Sequence, residues 1–249
     1  MRIKVINPNT TAGMTVKIGE AARAVAAPGT EIVAVNPAAG PVSIECHYDE
    51  AVSVLGVLEE VSKGEHEEID GYVIACFGDP GLLAAREIAK GPVVGIAEAA
   101  MHAASFIATG FSVVTTLTRT CIIAEHLVER YGMTHVCRKV RGTDIPVLDL
   151  EETGSAALEA IVEECRRAVV DDRSGAIVLG CAGMADLVAA VARELNVPVI
   201  DGVAAAIVQI EGLVRLGLRT SKHGDLAWPP VKTYTGALAH LAPGTRAAA

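Results

Sequence analysis

One short motif occurs twice in this chain, with a nearly constant spacing between related elements. Residues 73–81 read VIACFGDPG and residues 177–185 read IVLGCAGMA, so each apolar run ends at a cysteine that a glycine-containing turn follows. The two cysteines, Cys76 and Cys181, are 105 positions apart; the later segments PVVGIAEAA and PVIDGVAAA are 106 apart, and the earlier segments INPNT and VTTLT are 108 apart. A fixed offset over three elements indicates two halves of the same design.

The order of apolar patterns predicts an α/β fold. Short runs rich in valine and isoleucine, typical of buried parallel strands, alternate with longer stretches of helical period. The predicted strands are residues 3–7, 31–35, 72–76, 93–96, 111–116, 135–140, 176–181 and 197–201, and the predicted helices include 15–26, 50–61, 119–131, 156–170 and 187–195. Because such alternation is typical of parallel sheets flanked by helices, we expect two pseudo-symmetric α/β lobes with an active site in the cleft between them.

The repeat also predicts where the lobes begin and end. Residues 1–97 form the first lobe, which holds the first thiol, and residues 98–206 form the second lobe, which holds the second thiol. Residues 207–249 include the proline-interrupted stretch SKHGDLAWPPVKTYTG and are expected to return to the first lobe, with a disordered tail at residues 244–249.

Charge and hydropathy exclude several classes of partner. The net charge is −9, so no basic surface is expected for nucleic acid or for an anionic membrane. The N-terminus begins with an apolar strand rather than a signal peptide, and no apolar run is long enough to span a bilayer. We therefore expect a cytoplasmic protein that binds neither nucleic acid nor membrane, and its alanine-rich apolar helices suggest a homo-oligomer.

The six cysteines include no CxxC pair, so neither a zinc site nor a dithiol redox motif is expected. Ligands of open α/β sheets bind beyond the carboxyl ends of the strands, which would place Cys76 and Cys181 on opposite sides of one cleft. A tight turn and a helix N-terminus beside a thiol lower its pKa towards neutrality. A thiolate and a thiol on opposite faces of a carbanion would invert its configuration without cofactor or metal. The alternative is that both cysteines are small buried residues of the core.

Polar groups near the two thiols are candidates for binding a ligand. Amides and hydroxyls at two related strand ends either form turns or hold a ligand rich in heteroatoms. They are Asn7, Pro8 and Asn9 after the first strand, with Thr115 and Thr116 at the related position. Backbone N–H groups after each cysteine are candidates for stabilising a developing oxyanion. They belong to Phe77, Gly78, Asp79, Ala182, Gly183 and Met184.

Together these motifs resemble the hydantoin and allantoin racemase group of the aspartate/glutamate racemase superfamily. The similarity rests on INPNT, ACFGDPG, VVTTL and GCAGM and runs along nearly the whole chain, up to TSKHGDLAWP. It implies an active site between two lobes and cofactor-independent inversion at C5 of a hydantoin ring. By motif, Cys76 and Cys181 match the two catalytic cysteines, while Asn9, Thr115 or Thr116, and the loops after the cysteines match ring-binding positions.

The motif loops contain amides, hydroxyls and glycines but neither Arg nor Lys, which favours an uncharged cyclic ureide over an amino acid as substrate. Our first hypothesis is a racemase of 5-monosubstituted hydantoins, with Phe77, Met184 and Leu117 around the substituent. An allantoin racemase of purine catabolism, acting by the same mechanism, is the first alternative. A nucleophilic cysteine in an isomerase or ring-opening hydrolase of related fold is another, and a non-catalytic binding module is the last.

Overall fold

The computed structural model describes residues 1–150 and 155–243. The strands in these residues are β1 (Arg2–Ile6), β2 (Glu31–Val35), β3 (Gly71–Ile74), β4 (Val93–Gly95), β5 (Phe111–Thr115), β6 (Cys137–Gly142), β7 (Ala176–Leu179) and β8 (Val199–Asp201). The α-helices are α1 (Ala12–Val25), α2 (His47–Gly64), α3 (Leu82–Ile88), α4 (Ile96–Ile107), α5 (Cys121–Arg130), α6 (Ser155–Asp171), α7 (Val188–Glu194) and α8 (Gly202–Arg215).

The strands form two four-stranded sheets with equivalent topology. The first has the order β2-β1-β3-β4 and the second the order β6-β5-β7-β8. Every pairing in both sheets is parallel. Since each strand of the second sheet occupies the position of the strand four places earlier in the chain, the predicted α/β class with two pseudo-symmetric lobes is confirmed.

Two helices each follow the sheet of one lobe in the chain but pack on the sheet of the other, and so join the two lobes. Helix α4 follows the first sheet but packs on β7 and β8, while α8 follows the second sheet and packs on β3 and β4. The two helices also pack against each other. Their first residues approach closely, because a β-carbon placed on Gly202 would lie 2.6 Å from the carbonyl oxygen of Ile96. A glycine is therefore needed where the two lobes meet.

The inner strands of the two sheets, β1, β3, β5 and β7, are buried on both faces because helices cover both. In the first lobe, Val5 and Val73 belong to a buried cluster that α1 and α8 share and that continues into the second lobe. Their neighbours Ile6 and Ile74 belong to a separate cluster with residues of α2 and α3. Successive residues of a strand point to opposite faces, so the continuous apolar runs of the inner strands are explained by burial on both sides, whereas the edge strand β6 keeps exposed polar residues.

The predicted strands all exist, with ends displaced by no more than two residues. Strand β6 was expected at residues 135–140 and begins at Cys137, because the Cys137 N–H group first bonds Met133 O in the turn after α5. The sequence patterns predict no bounds for α3, which is short, or for α4 and α8, which are rich in alanine and other apolar residues. In the described residues, no helix has both the length and the apolar character needed to cross a membrane.

The chain after α8 lies along the first lobe. Thr220 N–H bonds Lys90 O at 3.2 Å, and His240 Nε2 lies 2.8 Å from Glu59 Oε1 on α2. Position 206, the expected end of the second lobe, falls inside α8. The tail expected to be disordered lies outside the described residues.

Candidate active site

Each of the two motif cysteines lies two residues after the end of an inner strand of its sheet. The N–H group of the residue before Cys76 bonds β1 at 2.8 Å, and that of the residue before Cys181 bonds β5 at 2.8 Å. The carbonyl of each cysteine then accepts the N–H group three residues later, from Asp79 at 3.0 Å and from Met184 at 3.1 Å. Both thiols therefore lie where the strand pairing ends and a tight turn begins, at equivalent places in the two lobes.

The two thiols line one cavity between the lobes. It encloses about 630 Å³ of space between atoms, its open mouth and the solvent there included. Among the residues expected at the site, those that line it are Asn7, Asn9, Cys76, Phe77, Gly78, Thr115, Thr116, Cys181 and Ala182. Within residues 1–150 and 155–243, no group of three or more His, Cys, Asp or Glu side chains is placed to hold a metal ion.

The remaining expected residues are absent from the described lining of this cavity. Pro8 is buried in the turn after β1. Gly183 lies beside the second thiol, since a β-carbon there would be 3.6 Å from Cys181 Sγ. Met184 is buried in the core of the second lobe. Met184 and Leu117, expected beside a substituent, are absent from the described cavity lining.

Burial controls the pKa of both thiols. It raises the pKa of Cys76 to about 12 and that of Cys181 to about 11, although backbone N–H groups of Gly78 and Gly183 donate to the sulfurs and act in the opposite direction. The expected lowering of these pKa values towards neutrality is therefore wrong, because desolvation outweighs the effect of the turn. A Cys181 thiolate also raises the pKa of Cys76, so ionisation of one thiol opposes ionisation of the other.

The turns leave one unused N–H group after each thiol. In the first lobe, the Gly78 N–H bonds the thiol and the Asp79 N–H bonds the cysteine carbonyl, and the second lobe repeats this arrangement. The groups left over are the N–H of Phe77 and the N–H of Ala182, and both residues line the cavity. Neither group has an acceptor among the described residues. These two donors are therefore the best placed to stabilise oxygen charge on a bound ligand.

The asparagines after β1 form a network that fixes one of them at the cavity. Asn7 Nδ2 donates to Asn9 Oδ1 at 2.8 Å and to Thr15 Oγ1 at 3.0 Å, while Asn7 Oδ1 accepts the Asn9 N–H at 3.3 Å. Asn9 Nδ2 donates to Met14 Sδ at 3.2 Å, and sulfur is a weak acceptor. These asparagines can therefore form the turn and also bind a ligand. Asn7 orients the Asn9 side chain, and the Asn9 amide group can still donate a hydrogen bond into the cavity.

The two threonines at the end of β5 differ in their contacts. Thr115 Oγ1 donates to Gly180 O at 2.7 Å and so fixes the residue before Cys181. The backbone carbonyl of Thr116 accepts two N–H groups from the loop after β6. The side-chain hydroxyl of Thr116 has no hydrogen bond to the described residues, and Thr116 lines the cavity. Thr115 therefore positions the second thiol, whereas the Thr116 hydroxyl is placed to contact a ligand.

Asp79 caps a helix instead of lining the cavity. Its carboxylate accepts the N–H groups of Ala97 at 3.0 Å and Glu98 at 2.9 Å, at the start of α4, and the hydroxyl of Tyr131 at 2.7 Å. Burial raises the pKa of Asp79 to about 7 against these three donors. The first-lobe thiol loop is thereby joined to α4 and to the end of α5, both of which pack in the second lobe.

The second lobe caps its equivalent helix differently. Asp201, at the end of β8, accepts the N–H groups of Val203 at 3.1 Å and Ala204 at 2.8 Å at the start of α8. The position equivalent to Asp201 in the first lobe is Gly95, where a β-carbon would lie 2.1 Å from Asp79 Cγ. The carboxylate of the first lobe thus comes from the thiol loop and occupies the space that the glycine leaves.

The sequence patterns missed the residues that line the mouth of the cavity. They are the half-buried Ile44, Glu50, Thr120 and Ile123, with the buried Val147 beside them. All five lie outside the repeated motifs, in loops and helix ends that meet across the cleft. Glu45 Oε1 accepts the Val147 N–H at 2.7 Å and joins loops of the two lobes beside this mouth.

Comparisons with known proteins agree with this geometry. A family model described as Asp/Glu/Hydantoin racemase matches residues 3–210. The chain is 51% identical over 238 residues to a hydantoin racemase of Pseudomonas sp. (strain NS671), with 96% of each chain covered. It is 59% identical to the solved structure of an allantoin racemase from Klebsiella pneumoniae, with a TM-score of 0.96 over 98% of this chain and 100% of that one.

A second allantoin racemase structure, from Pseudomonas fluorescens, is 42% identical, with a TM-score of 0.91 over 95% of this chain and 100% of that one. The family model and these relatives each extend over most of the chain, across both sheets and both thiol loops. The chain therefore belongs to the Asp/Glu/Hydantoin racemase family and is a racemase.

Proposed function

We propose that this racemase inverts C5 of a hydantoin ring that carries one substituent, with Cys76 and Cys181 as its two bases and without a cofactor. The observation that carries the proposal is that thiols from two opposite sheets line a single cavity. The hydantoin racemase and allantoin racemases among its relatives support the same ring as the substrate class.

The chemistry follows from the position of the C5 proton. This carbon lies between a ring carbonyl and a ring nitrogen, so loss of its proton gives an enolate. One cysteine, as thiolate, takes the proton from one face, and its S–H bond forms as the C–H bond breaks. The other cysteine, as thiol, donates its proton to the opposite face. The two cysteines have then exchanged protonation states, and the same site acts on the opposite enantiomer.

The polar groups of the cavity suit an uncharged ring. Asn9 and Thr116 supply an amide and a hydroxyl, and the N–H groups of Phe77 and Ala182 are placed to stabilise the enolate oxygen. Among the described residues of the lining, Glu50 alone carries a charge, and it is negative. An amino acid would need a cationic partner for its carboxylate, which this set of residues does not supply.

Allantoin is the second candidate substrate. It is itself a hydantoin ring with a ureido group on C5, so ring binding and proton transfer are unchanged. The allantoin racemases among the similar structures support it. The difference between the two candidates lies only in the group that extends from C5.

We further propose a cytoplasmic homo-oligomer. All six cysteines lie in the described residues and are free thiols, as suits a reducing compartment. Phe106 and Ile107, at the end of α4, are 80% and 58% exposed, and two adjacent apolar side chains of this exposure support contact with a second copy.

Hydrogen exchange in D₂O tests the two-base mechanism. Separate enantiopure samples of allantoin and 5-benzylhydantoin are followed by polarimetry and NMR against enzyme-free controls. At early times we expect the inverted product to carry deuterium at C5 while the remaining starting enantiomer retains protium, because different cysteines remove and return the proton. Equal early labelling of both enantiomers would contradict two bases. Exchange no faster than in the controls for both compounds would overturn the proposed function.

The pKa values of the thiols predict how activity depends on pH. At pH values well below the thiol pKa values of about 11 to 12, the thiolate fraction of either cysteine is small and grows about tenfold per pH unit. We therefore expect log kcat/KM to rise with a slope near one from about pH 6 to about pH 8. Initial rates corrected for uncatalysed racemisation measure this slope. A plateau that begins near neutrality would contradict thiol pKa values raised by burial.

A further inference from the structure

We propose that Glu50 selects the C5 substituent and makes this racemase prefer groups that present N–H donors, such as the ureido group, over apolar or anionic groups of the same shape. This inference rests on the proposed function, since it concerns the substituent of the ring inverted there. It assigns a role to a residue that the repeated motifs do not contain.

The first step is the orientation of the ring. The groups suited to a ring lie at the inner end of the cavity, where Asn9 and Thr116 are each 4% exposed. The mouth is lined by half-buried residues of α2, α5 and the loop before α2. When C5 lies between the thiols and the polar ring edge meets the strand ends, its substituent extends towards this mouth.

The second step is the position of the carboxylate. A β-carbon placed on Gly78, two residues after Cys76, would lie 3.8 Å from Glu50 Cδ and 3.7 Å from Ile123 Cγ2. Glu50 and Ile123 therefore flank the first thiol loop from opposite lobes. Because Gly78 carries no side chain, no group at this position stands between the Glu50 carboxylate and the cavity that both residues line.

The third step is the chemistry of this contact. The Glu50 side chain is 27% exposed, and His47 Nδ1 lies 3.5 Å from one of its oxygens, Oε2. A carboxylate offers four acceptor sites and no donor when ionised, so it matches the donors of a ureido group and repels a carboxylate. Hydrogen bonds to a charged group in a partly desolvated site are stronger than those between neutral groups. An isobutyl group would leave the carboxylate desolvated without compensation.

Three substituents of the same size and branching isolate this effect. Ureido, isobutyl and carboxymethyl groups on C5 give allantoin, an apolar analogue and an anionic analogue. Wild type, Glu50→Gln and Glu50→Leu are compared on all three by kcat/KM. Glu125→Gln serves as the charge-matched control, because Glu125 is exposed on α5 and does not line the described cavity. Circular dichroism and thermal unfolding establish that each variant is folded.

We expect Glu50→Leu to lower kcat/KM for allantoin about 10- to 100-fold and to raise it for the isobutyl compound. The carboxymethyl compound should gain with both Glu50 variants, since each removes the negative charge. Glu50→Gln should have an intermediate effect on allantoin because its amide retains one acceptor oxygen. The Glu125→Gln control should leave the preference among the three compounds unchanged.

The outcomes separate the two claims. If wild type racemises none of the three compounds, the proposed function fails. If it racemises them and the Glu50 variants change all three by the same factor, the proposed function stands and the role of Glu50 is wrong. A wild type that prefers the isobutyl compound to allantoin would also overturn the role of Glu50.

Discussion

Serine in place of Cys76 or Cys181 is expected to abolish racemisation of both enantiomers. An alcohol is a far weaker acid than a thiol, so a serine neither forms the base nor replaces the acid at neutral pH. Removal of one positioned acid–base group lowers the rate by about 10²- to 10⁴-fold. In the proposed mechanism each turnover needs one base and one acid, so we expect either substitution to stop inversion in both directions.

The single variants should nevertheless retain one partial reaction. In the proposed arrangement the remaining cysteine faces only one side of C5, so it should remove and return the proton of the enantiomer whose hydrogen points towards it. In D₂O we expect each variant to label one enantiomer at C5 without inverting it, and the two variants to label opposite enantiomers. NMR on enantiopure samples distinguishes this from wild-type exchange.

Cys137→Ser is the matched control, because Cys137 is a free thiol on β6 that does not line the described cavity. It should racemise at the wild-type rate. Retention of inversion in either active-site variant would exclude the two-base mechanism. A covalent adduct trapped with one variant would instead support a nucleophilic cysteine.

The repeat explains why much of the site could be predicted from sequence. In parallel sheets of equal topology, residues at the same offset lie at the same strand ends, so Cys76 and Cys181 had to be equivalent once the two halves were recognised. Residues next to a strand end inherit its position, which is why Asn9 and Thr116 also line the cavity. This prediction needs only strand order and the direction of the chain.

The repeat gives no information about contacts that only one lobe makes. Glu50 lies in α2 and Val147 begins a short 3₁₀ helix after β6, and their approach to the cavity depends on how the lobes close against each other. The direction of the thiol pKa shift was also missed. A tight turn is visible in sequence, whereas the desolvation that outweighs it depends on the packing of both lobes around the sulfur.

The role of Asp79 becomes clear only when equivalent positions of the two lobes are compared, because the thiol motif by itself does not indicate it. At equivalent positions the first lobe has Asp79 and Gly95, and the second has Met184 and Asp201. The carboxylate has changed places between the thiol loop and the strand end, yet α4 and α8 both receive an aspartate cap. Asp79 is therefore better explained by capping than by ligand binding.

This exchange predicts a strong dependence of each position on the other. We expect Asp79→Ala to lower the free energy of unfolding by about 3 kcal/mol, because it removes a helix cap and leaves the N–H groups of Ala97 and Glu98 and the hydroxyl of Tyr131 unsatisfied. Gly95→Asp alone should be at least as damaging. Its β-carbon would lie 2.1 Å from Asp79 Cγ, and it would place two carboxylates at one helix end.

In the Asp79→Ala background, by contrast, Gly95→Asp should be stabilising. The double variant transfers the arrangement of Asp201 to the first lobe, and a restored cap recovers about 1 kcal/mol. Urea unfolding of wild type, both single variants and the double variant forms a complete double-mutant cycle. We expect its coupling free energy to be much larger than the small departure from additivity that independent sites show. Gly95→Ala is the control for added volume without a carboxylate. We expect it to be destabilising in the wild-type background but not in the Asp79→Ala background, where the opposing side chain is short. Equal effects of Gly95→Asp in both backgrounds would mean that the two positions do not share one carboxylate site, and the cap on α4 would then need another explanation.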